Sequence, residues 1–311
     1  MNVYAGARWV ARNLALLTLG GAVAAYFHPP LFMIFEHSFL WFFAATMFAV
    51  GIVLEPAELR ETLRSPGRIG LGLATQFTVM PLLGFLAAVL APLPADIALG
   101  FIIVACAPGA MASNVIVYLA GGAVAYSVAL TTVATLLAPL LTPALVKWLG
   151  GVFLVIPFWP MVETIFLVVV IPLAAGMAVR RLLGAHVRAA RELSPALAAA
   201  AIVVICSYAV AANQERIAQM GAWVLIMVIL VNGLGYLAGW WLGRLYRFDR
   251  RHRMTLCIEI GMQNAGLGVA LALKHFQPAT ALPGALFAVW CILTAAGASA
   301  WLRRHPVSIR Q

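Results

Sequence analysis

The chain has 311 residues, of which 64% are hydrophobic and only 10% are charged. Soluble domains carry about 25% charged residues, so this composition excludes an ordinary soluble protein. The formal net charge of +10 does not indicate nucleic-acid binding, because the basic residues follow the membrane topology described below. Apolar segments of about 18–25 residues predict membrane-spanning helices rather than the alternating pattern of a barrel.

The hydropathy pattern predicts ten spans, whose ends follow in chain order. Those of the first half lie at about 12–28, 36–54, 69–91, 96–120 and 123–148. Those of the second half lie at about 158–180, 194–212, 219–244, 254–276 and 280–302. A short amphipathic stretch at 57–68 separates the second span from the third.

The basic residues predict the orientation of these spans. If the amino terminus is cytoplasmic, ten crossings return the carboxyl terminus there. Every Lys and Arg except Lys147, Arg216 and Lys274 then faces the cytoplasm. Because positive residues are retained on the cytoplasmic side, we expect a multi-pass protein of the plasma membrane, the inner membrane of a bacterium, with both termini cytoplasmic.

The fourth and ninth spans contain helix-breaking residues at matching places. Residues 108–114 (Pro-Gly-Ala-Met-Ala-Ser-Asn) interrupt the fourth span, and residues 259–264 (Glu-Ile-Gly-Met-Gln-Asn) interrupt the ninth. Five spans precede about residue 150 and five follow, so the two halves enter the membrane from opposite sides. Interrupted spans at corresponding positions of inverted repeats are typical of a transporter site at the midplane of the bilayer.

Glu259 is an acidic residue within an otherwise apolar span. A carboxylate at this depth costs roughly 2.5–3.5 kcal/mol, so it requires a partner or a function. Oxygen-bearing side chains that could join it in binding a hard cation such as sodium are Gln76, Ser113, Asn114, Ser127, Thr131, Gln263 and Asn264. Singly, a serine or threonine can bond its own helix and Gln76 can bridge helices, but the combination favours an ion site. Asn232, beside Gly233 and Gly235, is interpreted as a packing residue.

The sequence shows none of the motifs that would indicate an enzyme. There is no Walker loop, no Gly-x-Ser-x-Gly and no His-Glu-x-x-His. Without a nucleotide-binding site, an ion gradient is the expected source of energy for transport.

At the two interruptions the chain resembles the bile acid:sodium symporter family, which includes bacterial relatives of the apical sodium-dependent bile acid transporter. The matching residues are Cys106-Ala107-Pro108-Gly109, Ser113-Asn114, Ser127, Thr131, Glu259-Ile260-Gly261-Met262-Gln263-Asn264 and Pro283-Gly284-Ala285-Leu286-Phe287 through Trp290. The resemblance implies an all-α membrane protein of ten transmembrane helices in two inverted five-helix repeats, with discontinuous helices 4 and 9 crossing.

The resemblance also implies two structural units. Residues 1–68 and 151–212 would form a panel from spans 1, 2, 6 and 7. Residues 69–150 and 213–311 would form a core from spans 3–5 and 8–10. Organic anions would bind in the cleft between the core and the panel.

Two sodium ions are implied as co-transported substrates. The first would bind Ser113, Asn114, Ser127, Thr131 and Glu259. The second would bind the side chains of Gln76, Glu259 and Gln263 and the carbonyl oxygens of Ile260 and Met262.

For the organic substrate, the resemblance places Asn114 and Asn264 beside the cleft. Relatives often carry Thr where Met111 stands, and His-Asn where this chain has Cys291 and Ile292. These replacements remove polar groups from the cleft. The expected substrates are small carboxylates, such as pantoate, ketopantoate or 2-oxo acids, or bile acids.

The sequence therefore predicts a sodium-coupled symporter of organic anions that works by alternating access. It predicts no nucleic-acid partner and gives no indication of an obligate protein partner. Two alternatives stay open: a proton-coupled carrier or exporter of the same fold, and a membrane receptor or scaffold that transports nothing.

Overall fold

The computed structural model of the chain describes residues 3–54, 66–183 and 187–304, and its regular structure there is helical. The helices of the first half are α1 (Val3–Arg12), α2 (Leu14–Phe27), α3 (Pro30–Met33), α4 (Phe39–Val53), α5 (Pro66–Leu90), α6 (Ala95–Ala105), α7 (Ser113–Leu119) and α8 (Val124–Gly150). Those of the second half are α9 (Phe158–Ile165), α10 (Ile171–Leu182), α11 (Val187–Ala211), α12 (Gln214–Leu245), α13 (Arg250–Gly261), α14 (Ala265–His275) and α15 (Leu282–Arg304). A π-helical turn, Phe166–Val170, joins α9 to α10, and a 3₁₀ turn, Pro278–Ala281, precedes α15.

Among the described residues, five helices are long and apolar enough to cross a membrane: Pro66–Leu90, Val124–Gly150, Phe158–Leu182, Ala189–Ala211 and Gln214–Leu245. Shorter apolar helices include α2, α4 and α6. The all-helical, multi-pass class is therefore as predicted, whereas ten crossings and the inverted repeat stay predictions. Most of the predicted amphipathic stretch, 57–68, lies outside the described residues, and its last three residues begin α5.

The helices pack in two groups. In one group, α11 lies against α2 and α4, and α10 lies against α4. In the other, α12 packs on α13, α15 and α5, while α6 packs on α5, α14 and α15. Helix α11 also contacts α14 and α15, so the two groups share an interface. This arrangement is compatible with the expected panel and core, whose boundaries stay a prediction.

The first group is held together by a close crossing of α4 and α10. A Cβ atom on Gly176 would collide with the carbonyl oxygen of Phe48 and would lie 3.0 Å from the Cα atom of Gly51. Two glycines therefore let the helix backbones touch, a common way of packing helices where hydrophobic driving force is weak.

Replacing Gly176 by alanine should lower the apparent Tm of the purified protein, because the methyl group collides with backbone rather than with a movable side chain. The matched control is Gly20→Ala on α2, where an added Cβ meets no atom within 4 Å. We expect the control to keep or raise the Tm, since alanine favours the helix by roughly 0.5–1 kcal/mol. Equal Tm values for the two variants would contradict the close backbone contact between α4 and α10.

Candidate functional site

The two interruptions lie side by side and satisfy each other's backbone. The first is the segment 106–112 between α6 and α7, and the second is the segment 262–264 between α13 and α14. The amide of Asn264 donates to the carbonyl of Pro108 at 2.8 Å, and the amide of Ala110 donates to the carbonyl of Met262 at 2.8 Å. Unpaired amides and carbonyls are costly away from water, so this antiparallel bridge lets two helices be broken at once.

The second interruption is shorter than the sequence predicted. Helix α13 continues to Gly261, so Glu259 and Ile260 lie in its last turn rather than in unwound chain. Asn264 ends the interruption as the N-cap of α14, because its side-chain oxygen accepts a hydrogen bond from the amide of Leu267 at 3.1 Å. Glu259 is therefore held on a rigid helix end.

The carboxylate of Glu259 is the centre of the site. Glu259 is 1% exposed. Its Oε1 accepts hydrogen bonds from Ser113 Oγ, at 2.5 Å, and from Ser127 Oγ, while its Oε2 accepts from Thr131 Oγ1 at 2.7 Å. Ion pairs among the described residues are Arg8–Glu192 and Asp249–His252, so no cationic side chain of that part of the chain neutralises Glu259.

The hydroxyl groups around Glu259 make more oxygen–oxygen contacts than they have protons. Ser127 Oγ also lies 2.7 Å from Asn114 Oδ1, and Thr131 Oγ1 also lies 2.8 Å from the carbonyl oxygen of Ser127. Five contacts thus share three hydroxyl protons. A surplus of acceptor oxygens in a buried, negatively charged cluster is the chemistry that attracts a hard cation.

The first interruption passes directly over the carboxylate. A Cβ atom on Gly109 would lie 3.1 Å from Glu259 Oε2, so glycine allows the chain to approach this closely. All five residues predicted for the first sodium site are therefore brought together: Ser113 and Asn114 at the start of α7, Ser127 and Thr131 on α8, and Glu259 on α13.

The residues predicted for the second sodium site form a neighbouring amide network. Gln76 Nε2 donates to Gln263 Oε1 at 2.8 Å and to the carbonyl of Ala107 at 3.2 Å. Gln263 Nε2 in turn donates to the carbonyl of Ile260 at 2.8 Å. The Met262 carbonyl accepts from the first interruption, as described above. The network joins α5 to both interruptions. A Cβ atom on Gly109 would lie 3.8 Å from the Met262 carbonyl oxygen and 3.1 Å from Glu259 Oε2, so this carbonyl lies near the carboxylate.

The residues predicted for the substrate differ in exposure. Met111, Asn114, Asn264 and Ile292 are partly exposed, whereas Cys291 is buried. Asn114 is bonded to the Glu259 cluster through Ser127, and Asn264 caps α14. Their contact with a substrate stays a prediction.

Two residues that support the interruptions were missed in the sequence. Asn232, interpreted above as packing, donates from Nδ2 to the carbonyl of Gly261 at 2.7 Å. Thr142 donates to the carbonyl of Cys106 at 2.9 Å. Both cap a carbonyl where a helix stops. The sequence alone offered no signal for either residue, because the partner of each is a backbone carbonyl.

Thr131 and its neighbour Thr132 offer a matched test of this geometry. Thr131 bonds Glu259, whereas the buried Thr132 hydroxyl has no hydrogen-bond partner. We expect Thr131→Val to lower the apparent Tm, since a lost hydrogen bond to a charged group is worth about 1.5–3 kcal/mol. Thr132→Val should leave the Tm unchanged or raise it, because a buried unpaired hydroxyl is removed. The Tm values are measured by thermal unfolding of the two purified variants. A lower Tm for Thr132→Val than for Thr131→Val would contradict the hydrogen bonding described for Glu259.

Comparison with known proteins identifies the family. The family model described as the sodium bile acid symporter family matches residues 40–220. YocS of Bacillus subtilis (strain 168), named as an uncharacterized sodium-dependent transporter, is 39% identical over 269 residues, covering 86% of this chain and 84% of the relative. BASS1 of Oryza sativa subsp. japonica, named as a probable chloroplastic sodium/metabolite cotransporter, is 35% identical over 283 residues, covering 90% of this chain and 68% of the relative. The chain therefore belongs to the sodium bile acid symporter family and is a multi-pass membrane transporter, not an enzyme.

Proposed function

We propose that the chain is a symporter that couples the sodium gradient to the movement of small organic anions by alternating access. The observation that carries this proposal is the buried Glu259 carboxylate, which has three hydroxyl donors, a surplus of acceptor oxygens and no cationic partner among the described residues. A transported cation is the partner that such a carboxylate lacks.

The first sodium ion is held by the oxygens of Ser113, Asn114, Ser127, Thr131 and Glu259. Sodium prefers several oxygen ligands, and this cluster offers them on three helices and beside one interruption. When the ion enters, each hydroxyl can turn its proton away and direct a lone pair toward the ion. Binding therefore fixes α7, α8 and α13 relative to one another.

The second sodium ion is held by the Gln76–Gln263 network, the Glu259 carboxylate and the carbonyls of Ile260 and Met262. Because Glu259 is shared, the two ions stabilise each other's ligands. Two sodium ions with one monovalent anion carry one net positive charge, which gains about 2.3 kcal/mol per 100 mV of membrane potential.

The organic substrate is a small carboxylate; the rice relative is named a sodium/metabolite cotransporter, which is compatible with a small molecule. It binds near Asn114 and Asn264, which are partly exposed and belong to the two interruptions. Because Ser127 is hydrogen-bonded to Asn114, occupation of the first sodium site changes the position of a residue on the substrate side. The core group of helices then moves against the panel group to expose the site alternately to each side.

Proton coupling is a second candidate, and the same cluster supports it. A proton on Glu259 would supply one of the hydrogens that the oxygen contacts lack. The family favours sodium, because its matched relatives are named sodium-dependent or sodium/metabolite transporters.

Replacing sodium by choline at constant pH should abolish uptake in proteoliposomes, because choline cannot enter a site built for a small cation. The substrate used is the labelled carboxylate that gives the largest sodium-dependent rise in Tm. Glu259→Gln should abolish sodium-dependent uptake as well, while the protein remains monodisperse. Uptake at the full rate in choline would reject sodium coupling and favour the proton.

Ser127→Ala should raise the sodium concentration required for half-maximal uptake, because it removes one ligand oxygen and the bond to Asn114. We expect a shift of about tenfold, the equivalent of one lost charge-assisted contact of about 1.4 kcal/mol. Ser38→Ala is the control, since its hydroxyl bonds the carbonyl of Phe35, which belongs to neither site. An unchanged sodium dependence in Ser127→Ala would remove Ser127 from the first site.

A further inference from the structure

Helix α12 approaches α13 more closely than side chains normally permit. A Cβ atom on Gly239 would lie only 2.7 Å from the carbonyl oxygen of Leu256, whereas one on Gly235 would be in ordinary contact with the Cα atom of Gly261, at 3.4 Å. The two glycines are one helical turn apart, so they form a single face on which the two backbones meet. Asn232 is the next residue of this buried face, level with the end of α13.

This close approach lets the short side chain of Asn232 reach the last carbonyl of α13. Its Nδ2 donates to the oxygen of Gly261 at 2.7 Å, and Asn232 is 2% exposed. In an uninterrupted helix that carbonyl would accept from the amide of Ala265. Here the amide of Ala265 donates to Gln263 instead, at 2.8 Å, so Asn232 satisfies a carbonyl that the interruption would otherwise leave bare.

A second bond fixes the orientation of the Asn232 carboxamide. The indole Nε1 of Trp290 donates to Asn232 Oδ1 at 3.1 Å. With Oδ1 engaged by a donor, Nδ2 is turned toward Gly261. Trp290 directly precedes Cys291 and Ile292 on α15, the two residues predicted to line the substrate cleft.

Gln76 has a related arrangement at the first interruption. It donates to the carbonyl of Ala107 from 31 residues upstream, as Asn232 donates to Gly261 from 29 residues upstream. Each side chain is an amide on the long helix that precedes an interrupted pair. In the expected inverted repeat these two helices, α5 and α12, correspond to each other.

We infer that Asn232 is a positioning residue of the sodium sites: it fixes the end of α13, and with it Glu259 and the Ile260 and Met262 carbonyls, and Trp290 keeps its carboxamide in the required orientation. This inference rests on the proposed sodium symport. It goes beyond that proposal in two ways. Asn232 is not itself a sodium ligand there, and its hydrogen bond to Trp290 on α15 connects the substrate side to the sodium ligands.

Equilibrium binding of ²²Na⁺ to the purified, full-length protein tests the inference without knowledge of the organic substrate. The wild-type protein should bind sodium and Glu259→Gln should not. Absence of binding by the wild type would overturn the proposed function itself. Asn232→Val, close in size but without polar atoms, should raise the half-saturating sodium concentration about fivefold to tenfold, because the end of α13 is no longer fixed.

The control is Asn213→Val. Asn213 is also buried, at 1% exposed, and like Asn232 it makes two hydrogen bonds: its Nδ2 donates to the carbonyls of Ala209 and Pro278, away from both interruptions. The Asn213→Val variant loses comparable hydrogen bonds, so its Tm can fall as far as that of Asn232→Val. We expect the sodium affinity of Asn213→Val nevertheless to stay within about twofold of wild type. Wild-type affinity in Asn232→Val, or an equal loss in both variants, would overturn the inference.

Trp290→Phe supplies a milder variant if Asn232→Val cannot be purified as a monodisperse protein. It removes the indole N–H donor and keeps a smaller aromatic ring in its place, so the half-saturating concentration should rise about twofold to threefold. Added to Asn232→Val, it should have no further effect, because both changes break the same link. An unchanged affinity in Trp290→Phe, or fully additive effects, would contradict the role given to Trp290.

Discussion

The burial of the Glu259 carboxylate, with no positive side chain paired to it in the described part of the chain, is the feature around which this transporter is arranged. Glu259 has hydroxyl donors from α7 and α8 and no cationic partner among the residues that the structure describes. Such a group is tolerated in a membrane only when something compensates its charge. The hydroxyl groups do so in part, and we propose that a transported cation completes the compensation. On this proposal, the sodium gradient drives transport through the occupancy of the Glu259 site.

The two interrupted helices make this arrangement possible because each satisfies the other's backbone. The pairing of Pro108 with Asn264 and of Ala110 with Met262 satisfies backbone groups that would be costly to leave unpaired within a bilayer. The side chains of Gln76, Thr142 and Asn232, from three different helices, cap three more carbonyls at the interruptions. Consequently the residues proposed as ion ligands lie at a junction where several helices meet. We propose that this junction couples ion binding to a movement between groups of helices.

The helical class, the two interruptions and the centre of the candidate site could be predicted from the sequence. The exact bounds of the second interruption and the role of Asn232 could not, for physical reasons. Hydropathy predicted the helical, multi-pass class, and Pro108, Gly261 and the amides near them marked the two interruptions. Glu259 identified the site, because a lone acidic residue in an apolar span is unusual. The sequence placed the second interruption too early, since Glu259 and Ile260 are compatible with helix and their pairing partners are distant in the chain. Asn232 was taken for a packing residue because its partner, Gly261, offers only a backbone carbonyl, and a carbonyl has no sequence signature.

The most direct test of the central claim is a high-resolution density map of the purified protein in sodium chloride compared with one in choline chloride. Bound sodium should appear as a peak about 2.4 Å from oxygens of Glu259, Ser113, Ser127 and Thr131, and it should vanish in choline. The hydroxyl groups should then turn back toward the carboxylate. Identical maps around Glu259 under the two conditions, or an ion bound only elsewhere in the protein, would contradict the account.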